Sequence, residues 1–436
     1  MCRCAKIRHL PEAHKFRSKF EFGTYDYLLA AHVTEALRGR SWEDDVKSLF
    51  NKIGMRDTIL GTDIKRLFWG DYIARSYSYN TTSAQHVPNN DNRFLTMTNG
   101  RCPAACVWSS GRDMAKWMEF HLRADGKDNA GSKFVKPEVL KQLYEPVIAA
   151  PRDTPTIEKP RFPIDDTFDT FAMGFQVGTY RGYQKLAQRG FTMNYHCTMA
   201  LLPEVKGGAW VCTNGPERTT EITDPSAIIV RYALEVILKQ TPFLDETTSC
   251  SFPMPWVPLG PAAANDPPGS TPSPQKAIVT AGVLPACWRL KKDNYVGFYL
   301  HGAFGSISVR QYPNGELHYT FGEMLKGALV ISVVPDIFLM TFEEPFKDVY
   351  PDERYTLVFQ SKCCVNIQAV KVNFLGYPGA PVFKKLSSDP NGLPVPTATP
   401  KIWPTRMSSR GQQTVAPSGG SFVPAAVAIV FYLATK

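Results

Sequence analysis

The chain has 436 residues, of which 44% are hydrophobic and 20% charged, a composition typical of globular proteins. This length predicts two or three domains with a sizeable core, and it excludes a disulfide-stapled miniprotein, a collagen-like fibre and a multi-span membrane protein. The formal net charge is +9, yet residues 1–20 contain six Lys or Arg and one Glu, so the remainder is nearly balanced. No basic stripe with interleaved aromatic residues follows, and we therefore expect no nucleic-acid partner.

The first half of the chain contains several helix starts, each marked by a capping residue or by proline at the first helical position. Four strands are expected between the last two helices, and because short turns join them their sheet should be antiparallel. The predicted caps are Thr24, Ser41 (with Asp44) and Ser110 (with Asp113), for helices over 25–37, about 42–53 and 114–122, followed by a short helix from Pro137 and a long one over 226–238. The predicted strands cover 175–180, 184–188, 195–202 and 209–213.

A different pattern begins after a proline-rich segment. Hydrophobic residues then alternate at spacing two, and Asn314-Gly315 supplies the turn of a hairpin over 306–321, because glycine adopts the positive φ that such turns require. Further strands are expected over 329–333, 337–342, 355–359 and 367–374, which predicts a small antiparallel barrel or sandwich.

The predicted fold class is α+β, in six segments. They are a basic N-terminal segment (1–24), a helix-and-sheet domain (25–245), a Pro-rich linker (246–286), a β-rich domain (287–386), a Pro/Ser-rich tether (387–421) and an apolar tail (422–434).

Ten cysteines allow either buried free thiols or one to three disulfides formed in an oxidising compartment. Cys102 and Cys106 lie four positions apart, and Cys363 and Cys364 are adjacent. No C-x2-C pair is matched by a second such pair or by spaced histidines, so we expect no metal site, and no motif indicates a cofactor. The sequon Asn80-Thr-Thr makes Asn80 a candidate glycosylation site, which favours the secretory route.

The two ends of the chain give conflicting indications about that route. Residues 1–11 lack the apolar run of a signal peptide. Residues 422–434 are mostly apolar and follow small residues (408–411) and a polar spacer, the order of a GPI-attachment signal. As a helix the tail would span about 20 Å, against a hydrocarbon core of roughly 30 Å. The alternatives are a GPI signal, a short membrane anchor, or a packed or frayed terminal segment. The first two favour an extracellular or cell-surface location with membrane attachment.

Four stretches are informative together through their order and spacing. They are 25–43, 50–58, 109–117 and 174–204, the last followed by Thr213-Asn-Gly215. The region that contains them, 20–240, resembles the serine β-lactamase and penicillin-binding-protein-like family, especially its class C and animal branches. The resemblance implies a partial β-lactamase/transpeptidase-like fold, an antiparallel sheet with helices, and the β-rich domain is similar to the small barrel often appended to such proteins.

The resemblance also implies three catalytic motifs, and each is degenerate or absent at its expected place. A Ser-x-x-Lys at a helix start supplies the nucleophile. This chain begins downstream of that place, and its only literal match is Ser273–Lys276, in the Pro-rich linker, where proline prevents a helix. The expected Tyr-x-Asn loop is Phe22-Gly-Thr24, without hydroxyl or amide.

The third motif, Lys/His-x-Gly, places a cation or imidazole beside the oxyanion hole. Here it is Gln188-Arg189-Gly190, so glycine is retained and the first position has changed. A literal Tyr-x-Asn at Tyr312–Asn314 belongs to the hairpin of the β-rich domain. We therefore expect no catalytic residue.

Other polar residues have local interpretations beside functional ones. Ser110 is expected to be an N-cap rather than a displaced nucleophile. His196 is expected to pack in or at the edge of the sheet, and His32 with Glu35 to form a surface pair rather than a ligand pair. Arg189 is either a solvent-exposed cation or, facing the cleft, a contact for an anionic ligand.

These observations predict a β-lactamase-related protein that is catalytically inactive as written and acts as a binding or extracellular structural module. Its partner is expected to be a small molecule or a protein. The alternative is an active serine hydrolase (peptidase, esterase or β-lactamase-like) whose Ser-x-x-Lys segment precedes the present sequence.

Overall fold

The structure is a computed structural model, and it divides the chain into two compact units. One unit contains residues 12–273 with 425–436, and the other contains 1–11 with 274–424. The structure describes residues 7, 9–10, 12, 14–18, 20–63, 73–80, 85–89, 102–151, 156–192, 194–215, 224–257, 290–322, 325–332, 334–343, 346–347, 355–362, 366–373, 380–391 and the backbone of 427–433.

The helices of the first unit begin close to where the sequence predicts them. Ser41 and Ser110 accept hydrogen bonds from the Asp44 and Asp113 amides, as expected of N-caps. Thr24 is not a cap, because Gly23 holds that place and Thr24 is the first helical residue. The described helices are α1 (Thr24–Arg38), α2 (Trp42–Ile53), α3 (Cys102–Ala105), α4 (Gly111–Arg123), α5 (Pro137–Gln142), α6 (Pro225–Ile237) and α7 (Glu246–Ser251).

A seven-stranded antiparallel sheet forms the centre of this unit, in the order β19-β10-β9-β8-β7-β6-β5, which confirms the predicted antiparallel arrangement. Two small ribbons accompany it, β1 (Ile59–Leu60) with β4 (Val107–Trp108) and β2 (Tyr77–Asn80) with β3 (Gln85–Pro88). The strands of the main sheet are β5 (Ile148–Ala149), β6 (Thr170–Phe171), β7 (Gln176–Tyr180), β8 (Tyr183–Thr192), β9 (Tyr195–Leu202), β10 (Gly207–Thr213) and β19 (Val427–Leu433).

Both faces of the sheet are covered by helices, because alternate residues of each strand point to opposite sides. On one face, Leu186 of β8 and Trp210 of β10 pack with Met118 of α4. On the other, Ala187 of β8 packs with Leu234 of α6. We call these the α4 face and the α6 face. Since β8 pairs with β9 without interruption from Leu186 to Thr192, Gln188 and Gly190 belong to the α4 face.

Two segments outside the predicted helix-and-sheet domain also belong to this unit, one at the start of the predicted linker and one in the tail. The start of the predicted linker forms α7, and Phe252 after it is buried in the core of the α6 face. The tail pairs along all of β10, from Thr213↔Val427 to Gly207↔Leu433. The described part of the tail is therefore a strand, not the helix considered above. No helix in the described part of the chain is long and apolar enough to cross a bilayer.

The second unit is a closed antiparallel barrel, which settles the barrel-or-sandwich alternative. Gly315 has φ of 78° in the predicted hairpin turn. Aromatic side chains fill the interior, with Tyr295, Tyr299 and Phe338 nearly inaccessible to solvent. Its strands are β11 (Gly297–His301), β12 (Gly305–Gln311), β13 (Leu317–Phe321), β14 (Leu325–Ile331), β15 (Ile337–Met340), β16 (Thr356–Lys362), β17 (Asn366–Val372) and β18 (Val382–Ser387).

Among the described cysteines, two pairs form disulfides. Cys102 is bonded to Cys106 across α3, and Cys197 is bonded to Cys212 between β9 and β10. Cys250 is a free, exposed thiol. The structure thus favours disulfides over buried free thiols at these four positions.

Candidate functional site

The degenerate motif positions meet where the N-terminus of α1 approaches the end of β8. Phe22 lies just before α1 with its ring 5.9 Å from the ring of Tyr27. Tyr27, one turn into α1, is hydrogen-bonded to the side chain of Gln188. Gly190 follows two residues later on the same face of β8. Thr24, half-buried, begins α1.

Gln188 has both ends of its amide engaged. Its Oε1 accepts the backbone N–H of Arg189 at 3.1 Å. Because the hydrogen bond to Gln188 lowers the pKa of Tyr27, the amide nitrogen is the group that donates to the Tyr27 hydroxyl oxygen. Among the described residues, no serine or lysine side chain bonds to either Gln188 or Tyr27. A neutral bridge therefore stands where the family resemblance places a cation or an imidazole.

Tyr27 is held in its protonated form. Burial raises the pKa of its phenol, and the neighbouring Asp26 carboxylate raises that pKa further. The Gln188 hydrogen bond lowers the Tyr27 pKa, but it does not outweigh the other two effects. Because its pKa is raised above 10, the Tyr27 phenol stays protonated near neutral pH and is not available to take up another proton. Sequence reasoning missed Tyr27, because no motif marks it within its helix.

An aromatic wall borders this contact. Phe20 stacks on Phe171 with ring centroids 4.4 Å apart, and Phe22 lies 6.5 Å from the same ring. Phe168 packs against Phe171 edge-on at 5.7 Å. Phe22 is 59% exposed, so its ring presents an apolar surface to solvent beside Tyr27.

The end of β8 also has an open backbone edge. The tight turn at Arg181-Gly182 pairs Tyr180 with Tyr183, and the pairing of β8 with β7 ends at the Gln176↔Ala187 pair. In the described part of the chain no strand continues this side beyond Ala187. Hydrogen-bonded pairs alternate along an antiparallel ladder, so the N–H and C=O of Phe191 are directed to the open side. Gly190 is exposed with free space around it.

Arg189 does not face this cleft, which corrects the hypothesis of an anion contact there. It lies on the α6 face, where its Nη2 is 2.6 Å from Oδ2 of Asp224. Burial alone would raise the pKa of Asp224, but hydrogen bonds from Arg189 and Ser226 hold it below the usual value. Asp224 is also the N-cap of α6, so Arg189 has a structural role.

The α6 face carries a second ionic cluster, around a cavity of about 70 Å3. Asp166 is buried there between Lys185 and Arg231 and bonds to both. Burial tends to raise the pKa of Asp166, but the two cations hold it below its usual value. The cluster satisfies its own charges and is separated from Gln188 by the sheet.

The remaining candidates have local roles or lie elsewhere. Ser110 caps α4, and His32 with Glu35 forms an exposed pair at 3.7 Å. His196 is buried with its ring stacked 6.3 Å from that of Phe191. The others are Asn80, the last residue of β2; Tyr312 and Asn314, in the barrel hairpin; and Ser273 with Lys276, outside the described residues. Within the described ranges, no group of three or more His, Cys, Asp or Glu side chains is arranged to hold a metal ion.

Comparison with known proteins identifies the fold of the first unit. The family model described as Beta-lactamase matches residues 3–232, more than half of the chain. Gigasin-6 of Magallana gigas is 29% identical over 118 residues, which cover 27% of this chain and 37% of the relative. The match thus spans little more than a third of that curated protein.

Two solved structures are similar at low identity. The crystal structure of SurE has 16% identity and a TM-score of 0.36, covering 86% of this chain and 71% of that one. The D-amino acid amidase from Ochrobactrum anthropi SV3, complexed with L-phenylalanine amide, has 18% identity and a TM-score of 0.34, covering 48% and 54%.

Proposed function

The chain belongs to the beta-lactamase family, and we propose that it uses the fold of that family to bind a ligand without turning it over. The observation that carries this proposal is the neutral Tyr27–Gln188–Arg189 bridge at the end of β8. The four matching stretches support a further placement in the class C-like, animal branch of the family.

Acyl transfer needs a nucleophile, a group that takes its proton, and donors that stabilise the oxyanion. Here the amide of Gln188 can neither take a proton nor lower the pKa of a neighbour by its charge. Tyr27 has a raised pKa and lies beside a carboxylate, which is the wrong electrostatic setting for a base. Loss of the nucleophile or its base alone costs on the order of 10^6 in rate in a comparable serine hydrolase.

The same features suit binding. The open side of β8 offers the N–H and C=O of Phe191 to an extended backbone, as in strand addition. Beside it, the exposed ring of Phe22 can contact an apolar or aromatic side chain, and the Tyr27 hydroxyl hydrogen is available to an acceptor. The proposed ligand is therefore an extended peptide, or a molecule with a peptide-like amide and an apolar ring.

An extracellular location is part of the proposal. The two disulfides among the described cysteines and the sequon at Asn80 support it, since disulfides persist mainly in oxidising compartments. The ligand would then be met outside the cell or on its surface.

Activity is tested on the full chain with nitrocefin, p-nitrophenyl acetate and a fluorophosphonate probe. We expect hydrolysis no faster than with heat-denatured protein, and no stoichiometric labelling of a serine. Burst labelling of one serine would refute the inactive assignment and favour the alternative, an active serine hydrolase.

Binding is tested by calorimetry and NMR titration with the capped peptide acetyl-Phe-Ala-Phe-amide, compared with acetyl-Gly-Ala-Gly-amide. We expect the aromatic peptide to bind more tightly. We expect Gln188→Ala to weaken binding of the aromatic peptide about tenfold, because the Tyr27 hydroxyl loses the hydrogen bond from the Gln188 amide that holds it in place. Tyr183→Ala is the matched control, because Tyr183 is exposed at the opposite end of β8. Equal loss in both variants, or equal binding of both peptides, would contradict the proposal.

A further inference from the structure

The disulfide between Cys197 and Cys212 lies in the same region of the sheet as the candidate site. Cys197 on β9 pairs directly with Gly190 of β8 on one side and with Cys212 of β10 on the other. Both cysteines pack against the core of the α4 face, the face that also carries Gln188. The disulfide thus lies on the α4 face of the sheet, one strand away from the open end of β8.

This position leaves the disulfide within reach of solvent. Cys197 and Cys212 are both half-buried, whereas Cys102 and Cys106 are each only 1% exposed. The neighbour of Cys197 on β8 is a glycine, and no atom lies within 4 Å of the place that a side chain at Gly190 would take. An approaching small molecule therefore meets no side chain from position 190.

We propose that Cys197–Cys212 is a thiol-exchange site, open to low-molecular-weight thiols through the gap above Gly190. This inference goes beyond the proposed ligand binding and does not depend on it. Exchange proceeds by attack of a thiolate on a disulfide sulfur, and access to that sulfur governs its rate.

The chemistry balances with the small thiol as the named reductant. Its thiolate sulfur bonds to Sγ of Cys197, the Cys197–Cys212 bond breaks, and Cys212 leaves as a thiolate that takes up a proton. A second thiolate then attacks the sulfur of the small molecule in this mixed disulfide. The small thiol is released as its own disulfide and Cys197 as a thiol, so two thiols are oxidised while one protein disulfide is reduced.

The test uses the native full chain and reduced glutathione as the probe. Free thiols are first blocked with iodoacetamide, and labelling of the exposed Cys250 verifies this step. Glutathione is then added, new thiols are trapped over time with N-ethylmaleimide, and the peptides are quantified by mass spectrometry. Cys102–Cys106 is the internal control, because it is a disulfide in the same unit that is buried.

We expect Cys197 and Cys212 to be trapped at least about tenfold faster than Cys102 and Cys106, with a glutathione adduct at Cys197 as the intermediate. Equal trapping of the two disulfides, or trapping only under denaturing conditions, would overturn the proposal.

A second variant tests the route of access. Gly190→Val adds a side chain beside Cys197 in free space and at a strand position that valine favours. We expect it to slow trapping of Cys197 and Cys212 several-fold while leaving Cys102 and Cys106 unchanged. An unchanged rate at Cys197 and Cys212 in this folded variant would show that thiols do not enter above Gly190.

Discussion

The buried histidine of α4 gives the structure a sensitivity to acid that can be calculated. His121 is 4% exposed, and its Nδ1 is hydrogen-bonded to the Tyr144 hydroxyl at a distance of 2.6 Å. Its Nε2 is buried and has no hydrogen-bond partner among the described residues. Burial lowers the pKa of His121 from 6.5 to about 4, because a charged imidazolium there would be desolvated.

The sign of the effect follows from proton binding. Below pH 6.5 the unfolded chain binds a proton at His121, whereas the folded chain binds it only near pH 4. The free energy of unfolding therefore decreases as the pH falls through this window. Linkage gives a loss of roughly 1 kcal/mol at pH 5.5 and roughly 2 to 3 kcal/mol at pH 4.5, relative to pH 7.5. A shift of this size is a large fraction of the total stability of a typical domain.

The assay is urea denaturation of the full chain at pH 7.5, 5.5 and 4.5, compared with His121→Phe. Phenylalanine is also a planar aromatic side chain but has no titratable group, so the difference in unfolding free energy between the two proteins should change by these amounts as the pH falls. His32→Gln, at an exposed position of α1, is the control and should follow the wild type. A difference between wild type and His121→Phe that is constant across the three pH values would refute the reasoning.

Three further predictions concern stability. Glu235 is fully buried and bonded to Arg181 and Tyr180, so Glu235→Gln should cost about 3 kcal/mol in urea denaturation and Tyr180→Phe only about 1 kcal/mol; similar costs would contradict this. Asp113 is fully buried and accepts hydrogen bonds from the Asp57 amide, the Thr58 hydroxyl and the Lys116 ammonium group. Asp113→Ala should therefore lower the free energy of unfolding by about 3 kcal/mol, and a loss below 1 kcal/mol would contradict this. Deletion of residues 427–436 removes β19 and should lower the melting temperature of the first unit, while an unchanged melt would show that the strand contributes no stability.

Local signals in the sequence were sufficient for the helices. Ser41 and Ser110 cap helices in the structure because a cap depends only on a side chain and an amide three residues away. Thr24 failed as a cap because Gly23 has the extended backbone of the N-cap, and Asp26 turns back into the space beside it. Propensity could not decide between adjacent candidates whose difference is a fraction of a kcal/mol.

The candidate site was only half visible in the sequence. Alignment of motif positions found Phe22, Gln188 and Gly190, but the partner of Gln188 is Tyr27, which is remote in sequence and lies in a helix with no motif of its own. The alternation that places Arg189 on the α6 face became clear only once β8 was seen to run through Thr192. The sequence predicted a strand that stops at Gln188, because Arg189-Gly190 interrupts the hydrophobic pattern, whereas pairing with β9 continues the strand.

The tail shows most clearly why composition underdetermines structure. An apolar segment is unfavourable in water. A membrane helix and a packed strand both shield such a segment from water, and a GPI signal is cleaved off, so apolar composition alone does not distinguish these alternatives. What selects among them is the surface available elsewhere in the chain. Strand β10 is buried over most of its length, and without β19 its outer edge would leave a row of backbone N–H and C=O groups unpaired. Pairing from Gly207 to Thr213 satisfies that edge, so the fold of the first unit, rather than the tail itself, determines that residues 427–433 form a strand.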